Sequence, residues 1–227
     1  MTSDPIGPRL DEVRERIAAA AARAGRSPAA VTLVAVSKAK PAEAIRDAFA
    51  AGHRDFGENY VQELVQKRAA LSDLAGVRWH FIGGLQRNKA RQVVDVALVH
   101  SVDRGELCVE LDRRARAVAK RLDVLVEVNL GGEAQKSGCS PDALPGLLEQ
   151  LRALDAVAVQ GLMTVPPLDA EADRTRVLFR ELALLRDRHR EALGRGELSM
   201  GMSHDFEEAI EEGATLVRVG TAIFGAR

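Results

Sequence analysis

Two periodicities alternate along the chain. Short apolar runs with β-branched residues read as strands, and between them apolar residues return every three or four positions, as on one helix face. The first helical stripe precedes the first strand and consists of Leu10, Val13, Ile17 and Ala20. The predicted strands are residues 32–37, 53–56, 78–82, 97–101, 122–129, 157–164, 198–201 and 215–219.

Further helical stripes lie between these strands. They consist of Val61, Leu64, Val65, Arg68 and Leu71, of Leu107, Leu111, Arg114 and Val118, and of Leu178, Leu182, Leu185 and His189. The run 122–129 is almost continuously apolar, which is typical of a strand covered on both faces. Repeated strand–helix units predict parallel strands joined by right-handed crossovers.

About eight such units in one chain predict an α/β fold, a single (β/α)8 TIM-type barrel with an extra N-terminal helix. An open doubly wound sheet is the alternative, although no Gly-x-Gly-x-x-Gly follows the first strand. We predict one domain over residues 1–227, in which residues 1–28 form an N-terminal arm and helix.

Composition excludes several classes of function. The 227 residues are 46% hydrophobic and 29% charged with a formal net charge of -1, so nothing favours nucleic acid or a membrane surface as partner. No apolar run approaches the ~20 residues of a membrane span. Residues 1–8 lack the features of a signal peptide, and the two cysteines, Cys108 and Cys139, form no disulfide framework or metal motif. We expect a cytoplasmic protein.

Lys38 is the most unusual residue of the first strand. An apolar run ends on this lysine, just before Pro41 opens the next helix. Desolvation is costly for an ammonium group and lowers its pKa, which suits a lysine to forming a Schiff base with an aldehyde. Most lysines at strand ends are simply solvated, however, and strand alternation places Lys40 on the same face. Periodicity alone leaves the choice open.

The other strand ends carry a compact polar set. In a barrel, functional residues gather at the carboxyl ends of the strands, and the loops after strands seven and eight often bind phosphate. Those loops here contain Gly201 and Ser203, then Gly220 and Thr221. Acidic residues follow Ser203 and could already satisfy the start of the next helix. The remaining polar strand-end residues are Asn59, His80, Asn129 and Arg218.

A phosphate-binding end facing a lysine suggests pyridoxal phosphate, an aldehyde with a phosphate group. The chain also resembles a known family through six motifs in order. These are Leu33-Val-Ala-Val-Ser-Lys38 with Lys40-Pro41, Phe56-Gly-Glu-Asn-Tyr-Val-Gln-Glu63, Trp79-His-Phe-Ile-Gly83 with Leu85-Gln86 and Asn88-Lys89, Gly161-Leu-Met-Thr164, Ser199-Met-Gly-Met-Ser203 with Asp205, and Val217-Arg-Val-Gly-Thr-Ala-Ile-Phe-Gly225. They resemble the pyridoxal phosphate homeostasis protein family, barrels related to the N-terminal domain of alanine racemase.

The resemblance implies that Lys38 forms the Schiff base and that Arg218 meets the pyridine nitrogen. It also implies that Ser203, Gly220 and Thr221 hold the phosphate. Ala39 and Gly84 depart from the family pattern, away from these contacts. The predicted pyridoxal 5′-phosphate-binding set is Lys38, Asn59, His80, Met202, Ser203, Arg218, Gly220 and Thr221, with no catalytic residue and no metal ligand.

We expect a carrier rather than a catalyst. An arginine stays protonated and therefore disfavours a proton on the ring nitrogen, so the cofactor becomes a weaker electron sink. Related racemases use a tyrosine from a second domain, whereas this chain has one tyrosine, Tyr60, and no room for a second domain after Phe224. The alternatives are a weak pyridoxal phosphate-dependent amino-acid racemase with a second base such as His80, and a sugar-phosphate enzyme that binds its ligand non-covalently.

The expected partners are pyridoxal phosphate and the apo-enzymes that receive it. The missing racemase-type second domain favours a monomer. Lys136, in the loop 133–138, is either an ordinary loop lysine or an accessory residue that handles the cofactor.

Overall fold

The strands form a closed parallel barrel. The computed structural model describes residues 5–133, 137–167 and 171–226. Within these ranges each strand pairs in parallel with the next in chain order, and the eighth pairs with the first. The strands are β1 Thr32–Val36, β2 Asp55–Glu58, β3 Arg78–Phe81, β4 Leu98–Val102, β5 Leu122–Glu127, β6 Val157–Met163, β7 Glu197–Ser199 and β8 Leu216–Val219. The predicted TIM-type barrel is confirmed.

Helices cover the outside of the barrel. They are α1 Ile6–Arg23, α2 Ala42–Ala50, α3 Val61–Ala70, α4 Gly105–Ala117, α5 Leu144–Arg152, α6 Ala172–Arg188, α7 Phe206–Glu211 and α8 Thr221–Phe224. After β3 the crossover carries a 3-10 segment, Arg87–Gln92, because Gly83-Gly84 and the polar residues that follow offer no apolar stripe. None of the helices in the described ranges is long and apolar enough to cross a membrane.

The N-terminal helix was predicted correctly. Leu10, Val13 and Ile17 are buried on the face of α1 that packs against α2, α7 and α8. The stripe predicted for α3 was partly wrong, because Val65 is 43% exposed and the neighbouring Lys67 is buried instead. Lys67 can be buried because its ammonium group donates hydrogen bonds to Ser37, Glu58 and Glu63.

The barrel interior is apolar in its middle and polar at both ends. Laterally paired residues of a parallel barrel face the same side, so the register identifies the inward positions. A small apolar cluster inside the barrel consists of Val34, Leu98, Leu125, Met163 and Leu216. The same register places Arg218 beside Val34, and Glu127 and Ser199 on either side of Met163. These polar side chains therefore lie inside the barrel, towards the carboxyl ends of the strands.

Candidate functional site

Lys38 lies in a tight turn directly after β1. Ser37 still donates its backbone N–H to the carbonyl of Gly57 in β2, and Lys40 then donates back to Ser37, both at 3.0 Å. Ala39 between them has φ 58, the left-handed region. Lys38 is half-buried. Lys38 follows the carboxyl end of β1, which pairs with β2 through Val36 and Gly57.

This turn separates Lys38 from Lys40. The expectation that strand alternation puts both lysines on one face was wrong, because the strand ends at Val36 and the chain turns at Ala39. Lys40 instead donates through Nζ to the carbonyl of Ala226 at 2.8 Å. The structure thus gives the two lysines different surroundings.

A buried ionic cluster on the outer side of the turn holds it in place. Lys67 of α3 donates to the Ser37 carbonyl and to Glu58 Oε1, each at 2.7 Å, and to Glu63 Oε2 at 2.8 Å. Glu63 also accepts the N–H of Ala39 at 2.8 Å, and the Ser37 hydroxyl donates to Glu58 at 2.6 Å. Burial raises the pKa of Glu58 despite these bonds. Both residues that flank Lys38 are therefore anchored.

The loops after β7 and β8 meet as predicted. Ser203 accepts the backbone N–H of Gly220 through its hydroxyl at 3.2 Å, and Thr221 follows directly at the start of α8. Gly201 has φ 89, and a Cβ there would lie 2.6 Å from the Cβ of Ala209. This loop therefore requires glycine. The contact brings the loops that carry Ser203 and Thr221 together, and their hydroxyls are donors that suit an oxyanion such as a phosphate.

Asp205 directly precedes α7 and bonds within its own loop. It accepts the backbone N–H of Met202 at 2.6 Å and so closes the loop, and no side-chain cap bond is made to α7. Glu207 is paired with Arg16 and Arg23 of α1. Glu207 and Glu208 lie in the first turn of α7, as predicted, so their charges favour this end of the helix while Asp205 stabilises the loop.

Arg218 is a buried cation between three strands. It is 4% exposed, and its guanidinium donates to Ser199 Oγ at 2.6 Å and to the Thr164 carbonyl at 3.0 Å. Burial lowers the pKa of Arg218 to about 10, which still leaves the group charged at neutral pH. Across the described residues its other N–H groups make no hydrogen bond, so donors remain for a ligand.

His80 is less accessible than the resemblance implied. Its Nδ1 lies 2.9 Å from Nε2 of His100, and its Nε2 lies 3.1 Å from Oδ1 of Asp55. Both ring nitrogens are engaged inside the barrel, so any contact with a cofactor would use the ring carbons or act through its partners. A direct contact of His80 with the cofactor stays a prediction.

Asn59 carries a polar atom without a partner. Its Oδ1 is buried and has no hydrogen bond to any residue described here. Gly83 allows the next strand to approach it closely, since a Cβ at Gly83 would lie 2.1 Å from the Asn59 carbonyl oxygen. An amide can present either its oxygen or its nitrogen. An unpaired amide oxygen just after the carboxyl end of β2 fits a small polar ligand such as pyridoxal phosphate, whose ring carries a hydroxyl.

Glu127 is a functional candidate that the sequence reasoning missed. It lies at the inner end of β5, 7% exposed. Burial and the charge of Asp103 raise its pKa to about 7, although the charge of Arg218 acts in the opposite direction. His100 and Ser199 were missed as well. Polar residues at inward positions of otherwise apolar strands were the available signal.

Two residues of the sequence analysis lie apart from this set. Asn129 binds its own loop, since its Nδ2 donates to the Glu133 carbonyl at 2.9 Å and its Oδ1 accepts from Gly132. Lys136 lies outside the described residues. No group of three or more metal-ligating side chains occurs in the part of the chain that the structure describes.

Comparison with known proteins adds an independent finding. The family model described as alanine racemase, N-terminal domain, matches residues 9–227. Curated relatives named pyridoxal phosphate homeostasis protein include one from Pseudomonas aeruginosa, 49% identical over 98% of this chain and 96% of its own length. Another, from Aquifex aeolicus, is 48% identical over 96% of this chain and 97% of its own length. PipY of Synechococcus elongatus, solved with PLP bound, is 41% identical with a TM-score of 0.86, covering 97% of this chain and 100% of that one.

Proposed function

This chain belongs to the pyridoxal phosphate homeostasis protein family, and from that premise we propose that it binds pyridoxal 5′-phosphate at the carboxyl end of its barrel. One observation carries the proposal. A half-buried lysine, a buried arginine with unused donors and a pair of loops that suits a phosphate all converge at this end. The orphaned amide of Asn59 lies there too.

The cofactor supplies an electrophilic aldehyde. Lys38 would add its ε-amine to the aldehyde carbon, and the carbonyl oxygen would leave as water, which gives a C=N bond to the lysine. Ser203, Gly220 and Thr221 would hold the phosphate, with Met202 beside them. Asn59 would meet a polar group on the ring. His80 would contact the cofactor ring through its own ring carbons, or act on it through its hydrogen-bond partners inside the barrel.

We assign Arg218 to the ring nitrogen. Its guanidinium remains protonated at neutral pH, with a pKa of about 10, so it can only donate a hydrogen bond. A nitrogen that accepts this bond stays unprotonated, and the ring then withdraws electrons less strongly. The chain is therefore suited to holding and delivering the cofactor in the cell without efficient turnover.

A role as a weak amino-acid racemase is the alternative on the same site. It needs a second base opposite Lys38, yet Tyr60 is 54% exposed on the outside, and both ring nitrogens of His80 are engaged. Incubation of the loaded protein with alanine in deuterated water tests this. Exchange of the α-proton no faster than with free cofactor supports the carrier role, and exchange at enzymatic rates would overturn it.

Reduction with borohydride tests the covalent attachment. Purified protein is mixed with pyridoxal phosphate, treated with borohydride and digested, and the labelled lysine is located by mass spectrometry. We expect the label on Lys38 in wild type and its loss in Lys38→Ala, whereas the matched control Lys40→Ala keeps it. A label on Lys40 would contradict the assignment. Phosphate affinity without any label would favour the sugar-phosphate alternative.

The setting of this function is also a proposal. We propose a cytoplasmic monomer that passes the cofactor to apo-enzymes, and both cysteines are buried free thiols, which agrees with a reducing compartment. Light scattering of the purified protein, with and without cofactor, checks the monomer. Cell fractionation checks the location, and reactivation of an apo-enzyme by the loaded protein checks the delivery.

A further inference from the structure

A chain of buried polar groups runs through the barrel behind Arg218. Arg218 Nη1 lies 2.6 Å from Ser199 Oγ, which lies 2.8 Å from Nδ1 of His100. His100 Nε2 is 2.9 Å from Nδ1 of His80, and His80 Nε2 is 3.1 Å from Oδ1 of Asp55. None of these five residues is more than 7% exposed. These hydrogen bonds thus connect the predicted cofactor end with the amino-terminal end of the barrel.

The two end groups set the direction of every bond. Arg218 can only donate, so the Ser199 hydroxyl accepts from it and passes its own hydrogen to His100 Nδ1. His100 must then carry its proton on Nε2 and donate to His80, which in turn donates through Nε2 to the carboxylate of Asp55. All five groups are satisfied only when both histidines are neutral in these tautomers.

The pKa shifts of His100 and Asp55 agree with this direction of donation from Arg218 towards Asp55. Burial lowers the pKa of His100 well below its ordinary value, and the charge of Arg218 acts in the same direction. Burial works against the ionised form of Asp55, but hydrogen bonds from His80 and Arg78 hold its pKa at about 2. The series of hydrogen bonds therefore ends on the Asp55 carboxylate, which Arg78 keeps charged. Each group in the series accepts a hydrogen bond from the group before it.

A protonated histidine would interrupt the sequence of bonds. If His80 were an imidazolium, His100 Nε2 would have to accept, and His100 Nδ1 would have to donate to Ser199. The Ser199 hydroxyl, already accepting from Arg218, would then lose the only acceptor that the described residues offer it. A buried hydroxyl without an acceptor is costly.

We propose that His100, together with Ser199, is a positioning residue for Arg218, which it holds at the ring nitrogen of the cofactor. The inference rests on the proposed function and deepens it. Arg218 makes two hydrogen bonds, and one of them, to Ser199, exists in this geometry only because His100 accepts the hydroxyl hydrogen. Without it, the guanidinium keeps the single anchor at Thr164 and can rotate away from the ring.

Ser199→Ala is the sharpest variant because it removes one hydroxyl and little volume. Ser101→Ala is the matched control. Ser101 is similarly buried, and its hydroxyl donates to the Gly83 carbonyl, which takes no part in the hydrogen bonds from Arg218 to Asp55. We expect Ser199→Ala to bind pyridoxal phosphate roughly tenfold more weakly than Ser101→Ala, as expected for a lost bond to a charged group.

A spectroscopic signal separates positioning from a general loss of stability. Each protein is loaded with cofactor labelled with nitrogen-15 in the ring, and the ring-nitrogen resonance is recorded. We expect the resonance to move in Ser199→Ala and in His100→Leu, and to stay at the wild-type value in Ser101→Ala. His100→Gln keeps a donor and an acceptor, so we expect it to return the resonance towards wild type.

Two results would contradict these expectations in different ways. An unmoved resonance in both Ser199→Ala and His100→Leu, with affinities equal to that of Ser101→Ala, would overturn the positioning role while leaving the proposed function intact. A wild-type protein that binds no pyridoxal phosphate would overturn both.

Discussion

Glu127 shows how its position inside the barrel changes the chemistry of one side chain. It faces the inside of the barrel at the end of β5, and its pKa is raised to about 7 by burial and then by the charge of Asp103. Its ordinary value is 4.5, so the folded state holds one more proton than the unfolded state between these pH values. The free energy of unfolding therefore falls as the pH rises through this window.

Glu127→Gln should remove this pH dependence. The amide cannot ionise, so relative to wild type the variant should gain up to ~3 kcal/mol of stability between pH 4.5 and 7. Urea unfolding of the cofactor-free proteins at several pH values measures the difference. A difference that stays constant across the window would show that Glu127 is not held protonated by the fold.

Gly201→Ala tests the loop that carries Ser203. The new Cβ would lie 2.6 Å from the Cβ of Ala209 and 2.9 Å from the Cα of Phe206, and the residue keeps a positive φ. Gly52→Ala is the control, because Gly52 has a similar φ of 82 but open space around it. Strain alone should cost Gly52→Ala about 1 kcal/mol, and the clash should cost Gly201→Ala at least ~2 kcal/mol more by denaturant unfolding. Equal costs would mean that the loop shifts freely.

At the scale of elements, α3 is joined to the turn after β1 by charge rather than by apolar packing alone. Lys67 occupies a buried position of α3 and makes three hydrogen bonds, to Ser37, Glu58 and Glu63. One side chain therefore connects α3 with the ends of β1 and β2. The position of Lys38 depends on this connection, since its two neighbours in the chain are both part of it.

Lys67→Met should be strongly destabilising. Removing the cation leaves Glu58 buried beside Glu63 with only the Ser37 hydroxyl as a partner, and the loss of a buried ion pair costs about 3–5 kcal/mol. Arg68→Met is the control on the same helix, because Arg68 pairs with Asp95 at the surface, where an ion pair contributes about 0–1 kcal/mol. Denaturant unfolding compares the two. Adding Glu58→Gln to Lys67→Met should recover part of the loss, and similar losses in both single variants would contradict the role of Lys67.

At the scale of the whole molecule, neutral histidines make the barrel sensitive to acid. His53 lies near the amino-terminal end of the barrel and His100 inside it, and burial lowers the pKa of both. For His53 the value is about 4 against an ordinary 6.5. Between these values the unfolded state holds the extra proton, so each group makes the protein less stable as the pH falls.

His53→Gln should isolate one of these contributions. Wild type loses up to ~3 kcal/mol from His53 between pH 6.5 and 4, a loss that glutamine does not share. The variant should therefore be less stable than wild type at pH 7, and the gap should shrink as the pH falls. Unfolding curves at pH 7 and 4.5 decide this, and an unchanged gap would exclude a neutral, buried His53.

Local pattern was enough for the fold and for two loops of the candidate site. Alternating apolar runs and helical stripes identified the eight strands, because a strand buried on both faces must be apolar whatever its neighbours are. The rule that function gathers at strand ends then selected Ser203 and Gly220, which do meet in the structure, whereas the choice of Lys38 over Lys40 came from the family resemblance. The sequence by itself therefore determined the barrel, the end that carries the polar loops and the type of ligand to expect.

Only the tertiary structure decided how these residues are supported. Lys38 and Lys40 differ through a turn at Ala39 whose left-handed backbone leaves no mark on the apolar pattern. The sequence separation between His80, His100, Ser199 and Arg218 is large, and their contacts arise only when the barrel closes and brings β3, β4, β7 and β8 around one interior. Periodicity records which face of an element is buried, whereas a hydrogen bond across the barrel depends on which buried faces meet.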